Sequence, residues 1–311
     1  MVFETPENYQ TYDEFNAQRV STPTENYCIN VCFWIVRDND GTNTSFNASN
    51  IPQQLTKMNT RFNPHGIFFN QIGVINYLSN TNFNNGAGPS NTTNIQGCLN
   101  IFFVNTVQSG ETWNGIAQYS YNRLRVRGAS INNNSETLNH EVGHCLNLAH
   151  TFLCTYIYDS SCVQSPYNNN NCTALGYQIC DTPADYYNLN GIAQGNSPYP
   201  ANAYNPDVTN IMSYWPSRNH FTNGQGDRMK NSIISSPALQ SIRSSFCYSI
   251  VGPSRLCQKN NQNGIYSVSS STFTTPPSYN WSVSGNLQIN GPSTNSTVNI
   301  SHFIAGSSPT P

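Results

Sequence analysis

The sequence predicts an α+β chain: a mixed, twisted sheet with backing helices and an active-site helix, followed by a partial C-terminal β-sandwich module. Three observations predict it. Short apolar, β-rich runs recur up to residue 127, with a stretch of helical period between the first two. The stretch His140–Phe152 carries H-E-x-x-H on an apolar helical pattern, with a further histidine six residues on. Near residue 250 the pattern changes to alternating β residues without a helix.

Residues 1–25 are polar and aperiodic and read as a pro-segment remnant or a linker. The next unit, residues 26–249, opens with Tyr27–Val36, a β-rich apolar run expected as a central strand and ended by the turn chemistry of Asp38-Asn39-Asp40-Gly41. Ile51, Leu55 and Met58 sit at helical spacing within 49–61, which predicts a helix across the sheet. Gly66–Val74 is a second strand, 79–96 an Asn/Gly/Pro loop, Cys98–Asn105 a third strand and Gly115–Tyr119 a short one. Leu124–Arg127 leads through Gly128 to the helix of the motif. Residues 151–205 form a long loop, and 221–243 read as a C-terminal helix packing through Met229, Ile233, Ile234 and Leu239. In 250–311, Gly264–Val268, Tyr279–Gly285 and Thr297–Ile300 are short strands of a truncated sandwich.

Composition bounds the function. Only 9% of residues are charged and the net charge is -2, so no basic surface is offered to nucleic acid or to an acidic membrane. No run of about 18 apolar residues occurs, so no membrane insertion is expected. Asparagine is the commonest residue, yet 12% aromatic content argues for real cores. Ten cysteines without a C-x-x-C pair point to disulfides in an oxidising compartment. Met1 opens no visible export signal, so a secreted or cell-surface protein is expected whose signal lies outside this sequence. Cys98 can pair with Cys28 or Cys32, and Cys154, Cys162, Cys172 and Cys180 among themselves, in one of three connectivities. Cys145 lies on the apolar face of the motif helix and reads as a buried thiol.

The chemistry concentrates in the motif. His140 and His144, one helical turn apart, project from one face and can hold one zinc ion. Glu141 projects beside them, where a carboxylate can act as general base on an activated water. His150 supplies a third ligand if the chain doubles back, and Asn147 is the residue that tolerates the left-handed backbone this turn needs. Three ligands and an open position are the pattern of a catalytic zinc site. Leu138, Val142, Cys145 and Leu146 form the apolar back of the helix, and Asn133 with Glu136 is a plausible capping pair. In the loop that follows, Asp181, Thr182 and Asp185 offer oxygen ligands for calcium; turn chemistry around Pro183 accounts for them equally well. His65, His220 and His302 are read as structural or solvated.

Downstream, Asn210-Ile211-Met212-Ser213-Tyr214 has the form of a Met-turn. With His140–Phe152, Cys180–Asp185, Pro206–Tyr214, Phe221–Gln225 and Arg228-Met229 in that order, residues 27–247 resemble a pappalysin-type, cytophagalysin-like metzincin. The chain departs from that family at Asn147, where glycine is usual, and at Gly176-Tyr177, where Gly-Asp is common. The resemblance implies a secreted zinc endopeptidase acting on protein or peptide substrates. In it Tyr214 stabilises the oxyanion, Met212 floors the site, and calcium binds near the Asp181 loop. It also implies that Gly115–Tyr119 pairs with substrate as an added strand, and that the chain after the Met-turn shapes the pocket for the residue following the cut. Here that chain, Trp215-Pro216-Ser217-Arg218, holds no carboxylate, which predicts little preference for Arg or Lys. The β module resembles PKD- or Ig-like modules. Two rival classes share parts of the pattern. One is a catalytically silent binding or adhesion protein, against which stand Glu141 and all three histidines; the other is a zinc amidase, against which stands the Met-turn.

Overall fold

A computed structural model describes residues 25–87, 94–156, 163–167, 171–186, 188–189, 192–193, 199–244, 248–251, 264–270, 281–283 and 287–302. The chain divides into two units, 1–245 and 246–311.

The first unit is a mixed α+β fold on one twisted sheet. Its centre is β1 (Tyr27–Arg37), which pairs in parallel with β2 (Ile67–Gln71) and β3 (Asn76–Ser79) on one side and with β4 (Leu99–Val104) on the other. β6 (Arg123–Arg127) extends the sheet in parallel beyond β4, and β5 (Gly115–Ala117) closes it as an antiparallel edge. A short β7 (Arg243–Ser244) returns antiparallel to the start of β1. The strands buried on both faces read as continuous apolar runs, and β4 is buried at every residue. One face carries Ile29, Val31, Phe33, Ile35, Ile101 and Phe103 into the main core. The other carries Val36, Phe102 and Val104, closed by Phe83.

Helix α1 (Ile51–Phe62) packs on the main core through Ile51, Met58 and Phe62, with Pro52 in its first turn, where the missing N–H costs nothing. Phe62 meets Phe69 of β2 edge-on at 5.0 Å and Phe221 at 4.7 Å, joining helix, sheet and the segment before the C-terminal helix. The motif helix is α3 (Thr137–Cys145), where Leu138, Val142, Cys145 and Leu146 are buried as the periodicity required. The Cys32–Cys98 disulfide ties β1 to the entry of β4, so Cys98 chooses Cys32; Cys172 pairs with Cys180 across the loop after the motif. Cys145 is a buried free thiol, and a short helix α4 (Leu153–Tyr156) follows the motif. Cys154 and Cys162 lie outside the described side chains.

Several expectations need correction. The strand expected over 66–74 ends at Gln71, because Gly73 takes φ +67° and turns the chain into a separate β3. The 79–96 loop contains a short helix α2 (Thr81–Asn84), started by the Asn80 side chain accepting from Phe83 N. The helix expected over 221–243 is two. The segment α5 (Asn223–Ser235) ends where Ser236 becomes extended before Pro237, and α6 (Pro237–Gln240) follows. The Asn133–Glu136 capping pair does not form. Glu136 is itself the N-cap residue of α3 without a side-chain cap, because its carboxylate is bonded to Lys57, Arg61 and Asn139.

The second unit contains a four-stranded antiparallel sheet in the order β8 (Tyr248–Val251), β9 (Gly264–Ser270), β11 (Thr297–His302), β10 (Leu287–Asn290). No second sheet facing it occurs among the described residues. Trp281–Val283, expected within a strand, is irregular, and the rest of Tyr279–Gly285 lies outside the described residues. Residues 1–24 lie outside them too.

Truncating Phe62 to alanine removes the ring that three elements share. We expect a loss of about 3–5 kcal/mol of stability in urea unfolding of the first unit.

Candidate metal centre

Helix α3 ends in a left-handed turn. Asn147 takes φ +73°, its N–H donates to His144 O at 2.8 Å, and Leu148 N–H donates to Gly143 O at 2.9 Å. These are the two bonds of a Schellman motif, with Leu146 as C-cap and Asn147 one residue beyond it. The chain leaves the helix there and returns His150 to the face it had left. The Nε2 atoms of His140 and His144 are 3.1 Å apart, those of His140 and His150 3.1 Å, and those of His144 and His150 3.2 Å.

Three nitrogens converging this closely would repel without a shared cation. A tetrahedral zinc ion, with Zn–N of about 2.05 Å, would hold them about 3.3 Å apart, so the donor set fits zinc. The tautomers fit as well. His140 Nδ1–H donates to Ile211 O at 2.8 Å and His144 Nδ1–H to Leu148 O at 2.6 Å, leaving the Nε2 lone pairs toward the centre. Burial holds all three imidazoles neutral and ligand-ready, His144 at about 4 and the other two well below their ordinary value. Among the described residues this is the single cluster of metal-ligating side chains.

The walls are aromatic and glycine-lined. Phe152 stacks on His150 at 4.8 Å, nearly parallel, and Tyr214 packs on His150 at 5.0 Å, on His140 at 5.7 Å and on Phe152 at 4.8 Å. Tyr119 covers His144 at 5.1 Å. Below, Gly143 gives Met212 its room: a Cβ there would lie 2.5 Å from the methionine sulfur. Above, Gly115 of β5 faces Glu141 so closely that a Cβ would lie 2.3 Å from its Oε1. Glu141 is buried, and burial raises its pKa to about 8 in the metal-free protein, against the lowering pull of Arg218.

The Met-turn is held on both sides. Asn210 and Gln225 exchange two amide hydrogen bonds of 3.0 Å, Gln225 donates to Tyr177 Oη at 2.8 Å, and Asn210 Oδ1 accepts from Met212 N at 2.9 Å. Gln225 also completes the capping box of α5 with Thr222. On the other side stands Asp185. Its Oδ2 accepts from Thr151 Oγ1 at 2.7 Å and Ser213 Oγ at 2.6 Å; its Oδ1 accepts from Tyr186 N at 2.8 Å and Trp215 Nε1 at 3.3 Å. The carboxylate clips the third-histidine segment to the Met-turn.

The structure therefore brings His140, His144, His150, Glu141 and Tyr214 together. It does not bring Asp181, Thr182 and Asp185 into a calcium cluster. Asp181 instead accepts from Thr222 Oγ1 and Gly224 N at the start of α5, and Asp185 is surrounded by donors. His220 pairs with Asp207 at 2.9 Å and His65 packs on Phe221, as the structural reading of both required; the side chain of His302 lies outside the described residues. Sequence reasoning missed the parts played by Asp185, Phe152, Gly115 and Arg218. Asp185 had a signal, one of the few carboxylates in a loop otherwise almost free of charge, but its spacing from Asp181 equally suited a cation ligand.

Residues 93–234 match the Peptidase_M43 family model, described as Pregnancy-associated plasma protein-A. One curated relative, an "Extracellular metalloprotease" of Colletotrichum graminicola, is 27% identical over 239 residues, covering 69% of this chain and 78% of the relative. A second of the same description and organism is 26% identical over 183 residues, covering 53% of this chain and 60% of the relative. Among solved structures, a Tannerella forsythia promirolysin mutant is 17% identical with a TM-score of 0.50, over 74% of this chain and 88% of that one. The chain shares that fold.

Two outcomes follow from the geometry. Replacing Asp185 by Asn weakens the clip on His150; we expect zinc affinity to fall by about 10–100-fold in competition with a chromogenic chelator. The second concerns the metal-free protein. Glu141 titrates near 8 folded and near 4.5 unfolded, so the folded state binds the proton more tightly and loses stability as pH rises from 4.5 to 8. Glu141→Gln removes that loss. In thermal melts at pH 8 the metal-free variant should exceed wild type by about 3 °C or more, and the gap should close toward pH 5.

Proposed function

We propose that the chain is a secreted zinc-dependent endopeptidase of the metzincin, pappalysin-like type, hydrolysing peptide bonds of proteins. The observation that carries the reading is the triangle of Nε2 atoms at 3.1–3.2 Å with a buried carboxylate beside it. The family match over residues 93–234, the relatives described as extracellular metalloproteases, and the shared fold all support it. The disulfides favour an extracellular location, and no helix among the described residues is long and apolar enough to cross a membrane. Residues 26–249 are assigned as the catalytic domain and 250–311 as a partial PKD- or Ig-like β module; the four-stranded antiparallel sheet supports a separate β module, whose first strand, β8, starts just before that bound.

His140, His144 and His150 would hold the ion. Bound there, zinc supplies a Lewis acid for the scissile carbonyl and makes a hydroxide-like nucleophile available near neutral pH. Glu141 accepts the proton of the attacking water on its carboxylate and delivers it to the leaving amine nitrogen. The phenol of Tyr214, packed against His150, donates to the oxygen that gains charge as the carbonyl is attacked. Gly115 leaves the space in which the Glu141 carboxylate sits under the edge strand, whose outer edge can take an extended peptide as an added strand.

The test is cleavage of denatured casein with and without 1,10-phenanthroline. Wild type should cleave, stop with the chelator and recover with zinc. Glu141→Ala should keep its zinc by metal analysis and lose activity by about 100-fold or more. A Glu141→Ala protein as active as wild type, or cleavage indifferent to the chelator, overturns the reading.

A further inference from the structure

The segment after the Met-turn puts one guanidinium beside the site. Arg218 Nη1 donates to Ser213 O at 2.9 Å and lies 3.5 Å from His140 Nδ1. It is part-buried, within electrostatic reach of Glu136, Glu141 and Tyr214, and Lys57 shares that neighbourhood. Yet no carboxylate of the described residues comes within ion-pair distance of it. Glu136, the nearest candidate, is already taken by Lys57 at 3.2 Å, Arg61 at 2.8 Å and the Asn139 amide. The neighbourhood thus holds three cations, Lys57, Arg61 and Arg218, against one paired carboxylate and Glu141.

A part-buried guanidinium presents five N–H donors in a rigid plane, and only one is engaged by Ser213. Lacking an internal counter-charge, it suits a carboxylate arriving from outside, which it can bind with two parallel hydrogen bonds. Over the same carboxylate stands β5, with Gly115 against Glu141. A peptide lying between that edge and the segment after the Met-turn would have its scissile bond at Glu141 and a flanking side chain on the side of Arg218, which stands within electrostatic reach of that carboxylate.

We propose that Arg218 binds the carboxylate of a substrate Asp or Glu flanking the scissile bond and so makes the enzyme selective for acidic sequences. The inference rests on the peptidase reading and goes beyond the absence of a preference for Arg or Lys.

Matched peptides carrying Asp, Asn or Lys at each position flanking the cleaved bond decide it. In wild type, kcat/KM for Asp should exceed that for Asn by about 10-fold or more at one flanking position, mainly through KM, with Lys poorest. Arg218→Gln should reduce the Asp/Asn ratio to within about 2-fold, and Arg218→Lys should keep the order, since it retains the charge. An equal ratio in wild type, or one unchanged in Arg218→Gln, overturns the proposal. Binding of the same peptides to zinc-loaded Glu141→Ala, by fluorescence polarisation, separates the two readings. If wild type cleaves nothing, the peptidase reading fails. The binding order then decides Arg218 alone: Asp tighter than Asn, and levelled by adding Arg218→Gln, upholds it, while equal binding overturns it.

Discussion

The return of His150 onto the face of its own helix is the constraint on which the rest of the site depends. Six residues separate it from His144, and a continuing helix would carry residue 150 well past the other two ligands. The chain must therefore break at once and turn back. The left-handed backbone at Asn147 costs an ordinary residue about 1–2 kcal/mol, and asparagine is among the few residues besides glycine that visit it routinely. The two Schellman bonds to His144 O and Gly143 O then satisfy carbonyls that the helix end would leave orphaned. The same break frees Leu148 O to accept from His144 Nδ1, so the residue whose N–H closes the turn also orients a histidine through its carbonyl.

Distant parts of the chain hold that turn in place, and they do so with buried polar groups. Ile211 O, from the Met-turn, fixes the His140 ring; Asp185 joins Thr151 to Ser213; Gln225 joins the turn to the last long helix. Burying a carboxylate such as Asp185 is costly unless its oxygens are satisfied, and four donors surround it. Because each network is complete, losing one member leaves a buried group unpaired, which makes these positions more sensitive than their distance from the histidines suggests.

Much of this was legible in the sequence. Strands buried on both faces announce themselves as apolar runs, and α3 by its period. The three histidines carry enough spacing information to imply both the helix and its break, and Asn147 was identifiable because few residues accept positive φ. What was not legible depended on pairing across long separations. Whether Cys98 meets Cys28 or Cys32 is settled only in three dimensions: the parallel register brings Cys98 alongside β1 between the two, and the bond is made to Cys32. The carboxylates at 181 and 185 share a short stretch but serve different elements, so their proximity in sequence misled toward a cation. The 221–243 helix failed for a local reason that the sequence did show: Pro237 disfavours a helical residue before it and cannot donate within a helix.

Arg218 joins these threads. It stands within electrostatic reach of the buried Glu141 carboxyl, and its charge lowers the pKa that burial raises, without forming an ion pair with it. An ion pair would lock Glu141 ionised and spend the guanidinium on an internal partner. Held instead by a single backbone carbonyl, the arginine keeps most of its donors for something not encoded in the chain. A cation retained beside a metal-ligand cluster raises electrostatic free energy when zinc is bound, since both are positive. A substrate carboxylate entering there relieves that repulsion, so charge that is unfavourable in the free protein becomes selective attraction in the complex.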